Sequence, residues 1–248
     1  MNNLILALDF GGTKLSAAVV DRDALNDERP QWLELRREFT PTDADAIYEL
    51  AAMLRLAREL LAERAPTAVG VSFGGPVDYP RGLVRLSHHV RGWEGVPLRD
   101  VLTREFGCPT AVDNDANVAA LGEHRFGAGR GVDDLMYVTV STGVGGGWVL
   151  GGRPWRGHGG MAGEIGHTVV DPAGPLCLCG KRGCVERLAS GPYMAADYEE
   201  EKERRGEGER GMTGKDVAEA VAARDEAAQG ILLRGAWALG VGLGNAAN

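Results

Sequence analysis

His167, Cys177, Cys179 and Cys184 lie in the segment GEIGHTVVDPAGPLCLCGKRGC at the spacing H-x9-C-x-C-x4-C. Thiolate sulfur and imidazole nitrogen are the groups Zn2+ prefers, and four of them at such spacing can close a tetrahedral site. Glu164 precedes the histidine by three positions and Glu186 follows the last cysteine by two. A metal that fixes this loop therefore also fixes two carboxylates. The competing readings are a redox pair with a bystander thiol, or a disulfide with one thiol left over. A secreted disulfide framework is not expected in a chain of this size with 4 cysteines, opening with MNNLILALDFGG and no basic leader. Cys108 stands apart in FGCPT and reads as a buried small hydrophobe.

Two glycine turns suggest a second chemistry. Asp9-Phe10-Gly11-Gly12-Thr13-Lys14 puts a carboxylate, two glycines, a hydroxyl and a cation in one turn. Backbone N–H groups at such a turn can form an anion-binding concavity, and Lys14 adds charge. Asp9 suits Mg2+ held through water better than phosphate, because carboxylate and phosphate are both anions. An ordinary hairpin turn is the alternative. Ser141-Thr142-Gly143-Val144-Gly145-Gly146-Gly147 is the second turn. It does not match the P-loop pattern, and the dinucleotide fingerprint needs a following helix that is absent. Two strand–glycine–strand turns, one in each half, suggest a nucleotide phosphate chain held between two domains. Between them, Asp113-Asn114-Asp115-Ala116-Asn117 sets carboxylates and amides where a strand passes into a helix. Such groups suit hydroxyl recognition and proton acceptance, and they equally suit helix capping.

The elements that must position these residues follow from apolar periodicity. Runs at 4–8 and 16–20 predict strands on either side of the first glycine turn. Helical spacing of Ile47, Leu50, Met53, Leu54, Ala57, Leu60 and Leu61 predicts a helix over 42–65, with Thr42 or Asp43 as its N-cap. Strands are predicted at 67–73, 110–112, 135–140 and 146–150, and helices at 115–126, 215–223 and 226–240. Strands mixed with helices favour an α/β class. The run EEEKERRGEGER at 199–210 reads as a solvated helix face or a surface loop.

Composition narrows the classes further. Hydrophobic residues make up 44 % and charged residues 25 % of the 248, as in ordinary globular proteins. No apolar stretch approaches the roughly 20 residues needed to span a bilayer, so no membrane partner is expected. The net charge of −8 argues against a nucleic-acid surface. The cytoplasm is the expected compartment.

DFGGTK, GGPVD, DNDAN, STGVGGG and GEIGH…CLCGKRGCVE occur in the order and spacing of the ROK family (repressors, uncharacterised reading frames and sugar kinases). The chain resembles its glucokinase-like sugar kinases from about residue 4 to the end. The resemblance implies an actin-like, ribonuclease-H-like fold of two α/β domains, 1–114 and 115–248, each with one phosphate hairpin. It implies that Asp9, Gly11, Gly12, Thr13 and Lys14 form phosphate loop one and that Thr142 and Gly143 belong to loop two. Asp115 is then the general base that takes a proton from a hexose hydroxyl attacking Mg·ATP. Gly75, Asn114, Asp115, Glu164, His167 and Glu186 become the sugar contacts, with His167 shared between sugar and zinc. The zinc is structural, because four protein ligands leave no open position. A homo-oligomer, dimer or tetramer, is implied as well.

Two departures from the family pattern bear on function. Family kinases read P-N-L-x-G-W where this chain has His88-His89-Val90-Arg91-Gly92-Trp93, so His89 stands where an asparagine meets the sugar. Glucose is therefore not assumed as the substrate. Family members also continue beyond the point where this chain stops, so the second domain is expected to be incomplete at its C-terminus. That expectation keeps open a sugar-binding protein without catalysis. A sugar-responsive transcriptional regulator lacking its DNA-binding module is the remaining alternative, disfavoured by the eight residues before Asp9 and by the acidic charge.

Overall fold

Leu4, Leu6, Leu8 and Phe10 of β1 (Leu4–Phe10) are buried on one face of the strand, while Ala7 and Asp9 point to the other. This period-2 pattern lets one strand carry both a core and a functional side chain. β2 (Lys14–Asp21) returns antiparallel to β1, and β3 (Glu34–Phe39) pairs antiparallel with β2. β4 (Ala68–Phe73) and β7 (Thr110–Asn114) extend the sheet in parallel, giving the order β3-β2-β1-β4-β7. Between them lie α1 (Ala46–Leu61), the ribbon of β5 (Val77–Asp78) and β6 (Leu83–Val84), and α2 (Leu98–Phe106). α3 (Asp115–Phe126) follows β7 directly, and β8 (Leu135–Val140), β9 (Val144–Leu150) and β10 (Arg153–Trp155) form a sheet in the order β10-β9-β8. The rest is helical: α4 (Val185–Ala189), α5 (Gly191–Arg204), α6 (Gly214–Ala222) and α7 (Glu226–Ala247). The structure is a computed structural model that describes residues 3–27, 30–87, 90–208 and 210–247. His89 lies outside the described residues.

Packing divides the chain into Met1–Leu135 with Trp148–Ala162, and Met136–Gly147 with Gly163–Asn248. This division differs from a cut at 114/115. α3 packs on β4, β7 and β10, so residues 115–135 stay with the first sheet.

In the first unit, α1 lays Met53, Leu56, Ala57, Leu60 and Leu61 into a core with the inward side chains of β1, β2 and β4. Phe10, Phe73 and Trp93 close its upper end, with Trp93 edge-on to Phe10 and Phe73 at 5.3 and 5.1 Å between ring centroids. The Trp93 indole N–H donates to buried Glu49 at 2.8 Å. α1 starts later than expected, at Ala46, because Asp45 rather than Thr42 or Asp43 is the N-cap and accepts from the Tyr48 N–H at 2.9 Å. Neither β3 nor α2 was anticipated. β3 is an edge strand with mostly exposed residues, and α2 anchors through buried Leu98 and Leu102, with Phe106 partly buried against the same core.

In the second unit, one core gathers Val144, Ile165, Val185 and Ala189, and another gathers Ala195, Tyr198, Val217 and Ala228. Residues 199–204 of the charged run lie on α5. The glycines of β9 meet those of 163–166 backbone to backbone. A Cβ on Gly146 would stand 2.6 Å from the Gly163 oxygen, one on Gly163 would stand 2.5 Å from the Gly146 oxygen, and one on Gly166 would run into the Val144 carbonyl. Among the described residues, no helix is long and apolar enough to cross a membrane.

Gly166→Ala should lower stability by about 2 kcal/mol, since backbone on both sides of the contact leaves no soft atom to move. Gly230→Ala, in α7 with no atom within 4 Å of the added carbon, should raise it by about 0.5–1 kcal/mol. Urea unfolding of the two variants checks both signs.

Candidate functional site

Asp9, Ser72 and Asp113 are cross-strand neighbours on β1, β4 and β7. The period of 2 puts all three on the face opposite the apolar core, at the end of the strands where the chain turns out of the sheet. The Ser72 hydroxyl donates to Asp9 Oδ1 at 2.8 Å. Asp113 is buried, and its Oδ2 accepts from Arg156 Nε at 2.7 Å and Nη2 at 2.6 Å. Its Oδ1 accepts from the Asn114 N–H at 2.9 Å and from Asn117 Nδ2 at 3.2 Å. The Arg156 guanidinium in turn lies 3.6 Å over the Tyr79 ring. With Lys14 and Asp115, these groups line a cavity of about 560 Å3 within the first unit.

Asn114 is the N-cap of α3: its Oδ1 accepts from the N–H groups of Ala116 at 3.0 Å and Asn117 at 3.3 Å. Its Nδ2 donates to Gly75 O at 3.2 Å and to Asp115 Oδ1 at 2.9 Å. Asp115 opens the helix, and its Oδ1 also accepts from the Ala116 N–H at 2.8 Å. The Asp115 carboxyl is nonetheless held above the ordinary carboxylate range. Loss of solvation is the largest cause and the charge of Asp9 adds to it, while the Ala116 and Asn114 donors pull the other way. Gly75 is glycine for a packing reason: a Cβ there would stand 2.5 Å from the Leu86 oxygen.

The first glycine turn is closed by a Gly11 N–H to Lys14 O bond of 3.1 Å, and Gly12 sits at φ +72°, a conformation only glycine adopts readily. Gly74 N–H donates to Phe10 O at 2.8 Å and Thr40 N–H to Thr13 O at 3.0 Å, so the turn is pinned from two sides.

In the second unit, the Ser141 N–H to Gly143 O bond of 2.8 Å tightens the β8–β9 turn, with Thr142 exposed between them. Glu186 belongs to this turn: its Oε2 accepts from the Val144 N–H at 3.0 Å, and a Cβ on Gly143 would stand 2.7 Å from that same oxygen. Glu164 and His167 share the single helical turn at Ile165–His167, with the His167 N–H on Glu164 O at 3.1 Å. The four side-chain ligand atoms of His167, Cys177, Cys179 and Cys184 lie within 4.8 Å of one another. Cys177 Sγ is 3.9 Å from His167 Nδ1, and Cys179 Sγ is 3.6 Å from Cys184 Sγ. Zinc–sulfur bonds of about 2.3 Å put tetrahedral sulfurs about 3.8 Å apart, so the residues fit the ion. All three thiols are free. Burial, with the neighbouring thiols, pushes Cys184 up to about 12, and burial also raises Cys177. Against its own partial burial, Cys179 is lowered by the Lys181 N–H and the adjacent thiols. Three thiols in this arrangement need a cation to ionise together.

The structure thus brings Asp9, Lys14 and Asp115 to one cavity and His167 with the three cysteines to one point. Ser72, Tyr79 and Arg156 escaped sequence reading. The β4 register could have singled out Ser72, as the one polar residue of that strand opposite Asp9, whereas Tyr79 and Arg156 sit in loops without periodicity.

Residues 5–248 match the ROK family, and the chain belongs to it. It is 38 % identical over 192 residues to a glucokinase of Streptomyces coelicolor, a match covering 76 % of this chain and 56 % of that protein. It is 40 % identical over 191 residues to an N-acetylmannosamine kinase of Salmonella newport, covering 77 % of this chain and 62 % of the relative. The solved structure of a ROK family glucokinase from Streptomyces griseus in complex with glucose and AMPPNP matches with a TM-score of 0.78 at 34 % identity. That match covers 98 % of this chain and 79 % of the other. The α/β, actin-like fold expected from the motifs is therefore the fold observed. The chain spans a little over half the length of the curated glucokinase it matches.

Because the Asp115 pKa is higher in the folded state than in the unfolded chain, the folded state favours its protonated form. Its contribution to stability is fully present below the unfolded value of about 4 and is lost as pH rises through the raised folded value. Asp115→Asn should therefore be as stable as the wild type or more so at pH 7, with that advantage gone below about pH 4. Urea unfolding at the two pH values measures the difference.

Proposed function

We propose that the chain is a sugar kinase that transfers the γ-phosphoryl group of Mg·ATP to a hydroxyl of a hexose or an N-acetylated hexosamine. The observation that carries this reading is the Asp115 carboxyl, set at the start of α3, hydrogen-bonded to neutral donors among the described residues, and raised in basicity by its surroundings. Its bonds to Asn114 and Ala116 both fall on Oδ1, so Oδ2 is assigned the proton of the attacking hydroxyl. Asn114, fixed by its capping role, is assigned a neighbouring sugar hydroxyl, with Gly75 beside it. Glu164, His167 and Glu186 are assigned further hydroxyls, since a carboxylate can accept from two adjacent ones.

Gly11, Gly12, Thr13 and Lys14, together with Thr142 and Gly143, are assigned the nucleotide phosphates. Asp9 is assigned Mg2+ through water. That ion, when bound, neutralises charge on the transferring group; a loose phosphoryl transition state needs mainly this and positioning. His167, Cys177, Cys179 and Cys184 are assigned a structural Zn2+, closed to water by its four protein ligands. The same reading makes the protein a cytoplasmic homo-oligomer, dimer or tetramer, because its co-substrate is ATP and its family resemblance implies assembly.

A coupled ADP-release assay with glucose, mannose, fructose, allose and N-acetylmannosamine tests the activity. Turnover should be seen with at least one sugar, and Asp115→Asn should lower kcat by about 10^2–10^4 while the sugar Kd changes little. Sugar binding without turnover by wild type or mutant replaces the kinase with a sugar-binding protein.

Metal analysis should find one zinc per chain, and Cys184→Ser should lose it. Removing the metal should weaken sugar affinity more than nucleotide affinity, as read by calorimetry. Equal loss of both restricts the metal to supporting the fold.

A further inference from the structure

We infer that Arg156 is a positioning residue for Asp115, acting through Asp113. This inference rests on the kinase reading above. Arg156 follows Trp155, the last residue of β10, and its Nε and Nη2 both bond Asp113 Oδ2 at the end of β7. It is held there from a second side by the face of Tyr79. With Oδ2 occupied, Asp113 turns Oδ1 to the Asn114 N–H and to Asn117 Nδ2. Those two bonds set the backbone of Asn114 and the first turn of α3. From that backbone Asn114 caps the helix and donates to Asp115 Oδ1.

The line of contact is thus Tyr79, Arg156, Asp113, Asn114, Asp115, and every link is a face contact or a hydrogen bond. Arg156 is far along the chain from the DNDAN motif, yet it belongs to the same unit. A lysine in its place keeps the charge but cannot place two donors on one oxygen while lying flat on a ring. Among the described residues, Arg156 makes no hydrogen bond to Asp115 or to the glycine turns at 11–14 and 141–147, so its effect should reach the reaction as geometry and not as binding.

Hydrogen exchange and steady-state kinetics on three variants test this. In Arg156→Gln, exchange protection at Asn114, Ala116 and Asn117 should fall by about ten-fold while amides in α1 stay as in the wild type. kcat should fall by about 10- to 100-fold with the sugar KM little changed. Arg156→Lys should restore part of both. Because Arg156→Gln leaves Asp113 buried and unpaired, the neutral pair Asp113→Asn/Arg156→Gln is the control for folding. It should melt near the wild type yet keep the local loss of protection. Unchanged protection at the three amides overturns the inference, as does an equal loss throughout α1. The exchange arm needs no turnover, so the local loss in a chain that phosphorylates no sugar keeps the positioning role and discards the kinase reading. Turnover that Arg156→Gln leaves intact does the reverse.

Discussion

Three carboxylates, Asp9, Asp113 and Asp115, share one end of the first sheet, and gathering like charges there constrains what surrounds each of them. Each is compensated differently. Asp9 takes a hydroxyl from Ser72, which dampens its charge without cancelling it. Asp113 takes a guanidinium and an amide, which makes it a fixed structural anion. Removing one partner of such a buried pair costs about 3–5 kcal/mol, because the other charge stays behind. Asp115 takes neutral donors at the start of a helix, and loss of solvation with the charge of Asp9 still raises its affinity for a proton. The raised basicity of Asp115 thus comes from loss of solvation beside a second carboxylate, which outweighs its neutral donors.

The second unit depends on proximity instead of charge. β9 and the segment at 163–166 come together only because the residues at the contact have no side chains. This approach fixes the short turn that carries Glu164 and His167. The knuckle at 177–184 is pinned to the same place: Cys177 N–H donates to Lys181 O at 2.8 Å, and Val185 N–H to Thr168 O at 3.0 Å. α4 then starts at Val185, directly after Cys184, and projects Glu186 back onto the β8–β9 turn. A glycine cluster that reads as a phosphate loop is thus also a packing surface, and a glutamate that reads as a sugar contact also fastens the loop.

The sequence made legible what is carried by short-range pattern. β1, β2, β4 and α3 could be read from periodicity, and the histidine–cysteine spacing led to four side chains that the structure gathers within one ion's reach. What could not be read depends on register between distant strands. Arg156 meets Asp113 across 43 positions, and nothing local to either residue announces the pair. The extent of the first unit was hidden for the same reason: α3 looks like the start of a new domain until its packing on β4, β7 and β10 is known. β3 was missed because an edge strand with an exposed, charged face carries no hydrophobic alternation.

At DNDAN, helix capping and proton acceptance read as alternatives, and the structure gives the capping to Asn114, which leaves the proton-accepting role proposed above to its neighbour Asp115. A cap must present an oxygen to the free N–H groups of the first turn, and Asn114 does so. Once that oxygen is supplied by Asn114, Asp115 is not needed as the N-cap, although Ala116 still donates to its Oδ1. It stands one residue into the helix, where its position is set by the rigid turn beneath it. Asp113, one residue before the cap, is consumed by the ion pair that holds the strand end. An acidic residue in each flanking position is thus required for a different reason, and the amide between them could not be acidic without adding a fourth charge to the cluster. The alternation of acid, amide and acid fits a helix start that the amide caps and where the carboxyl beside it is held above its ordinary range.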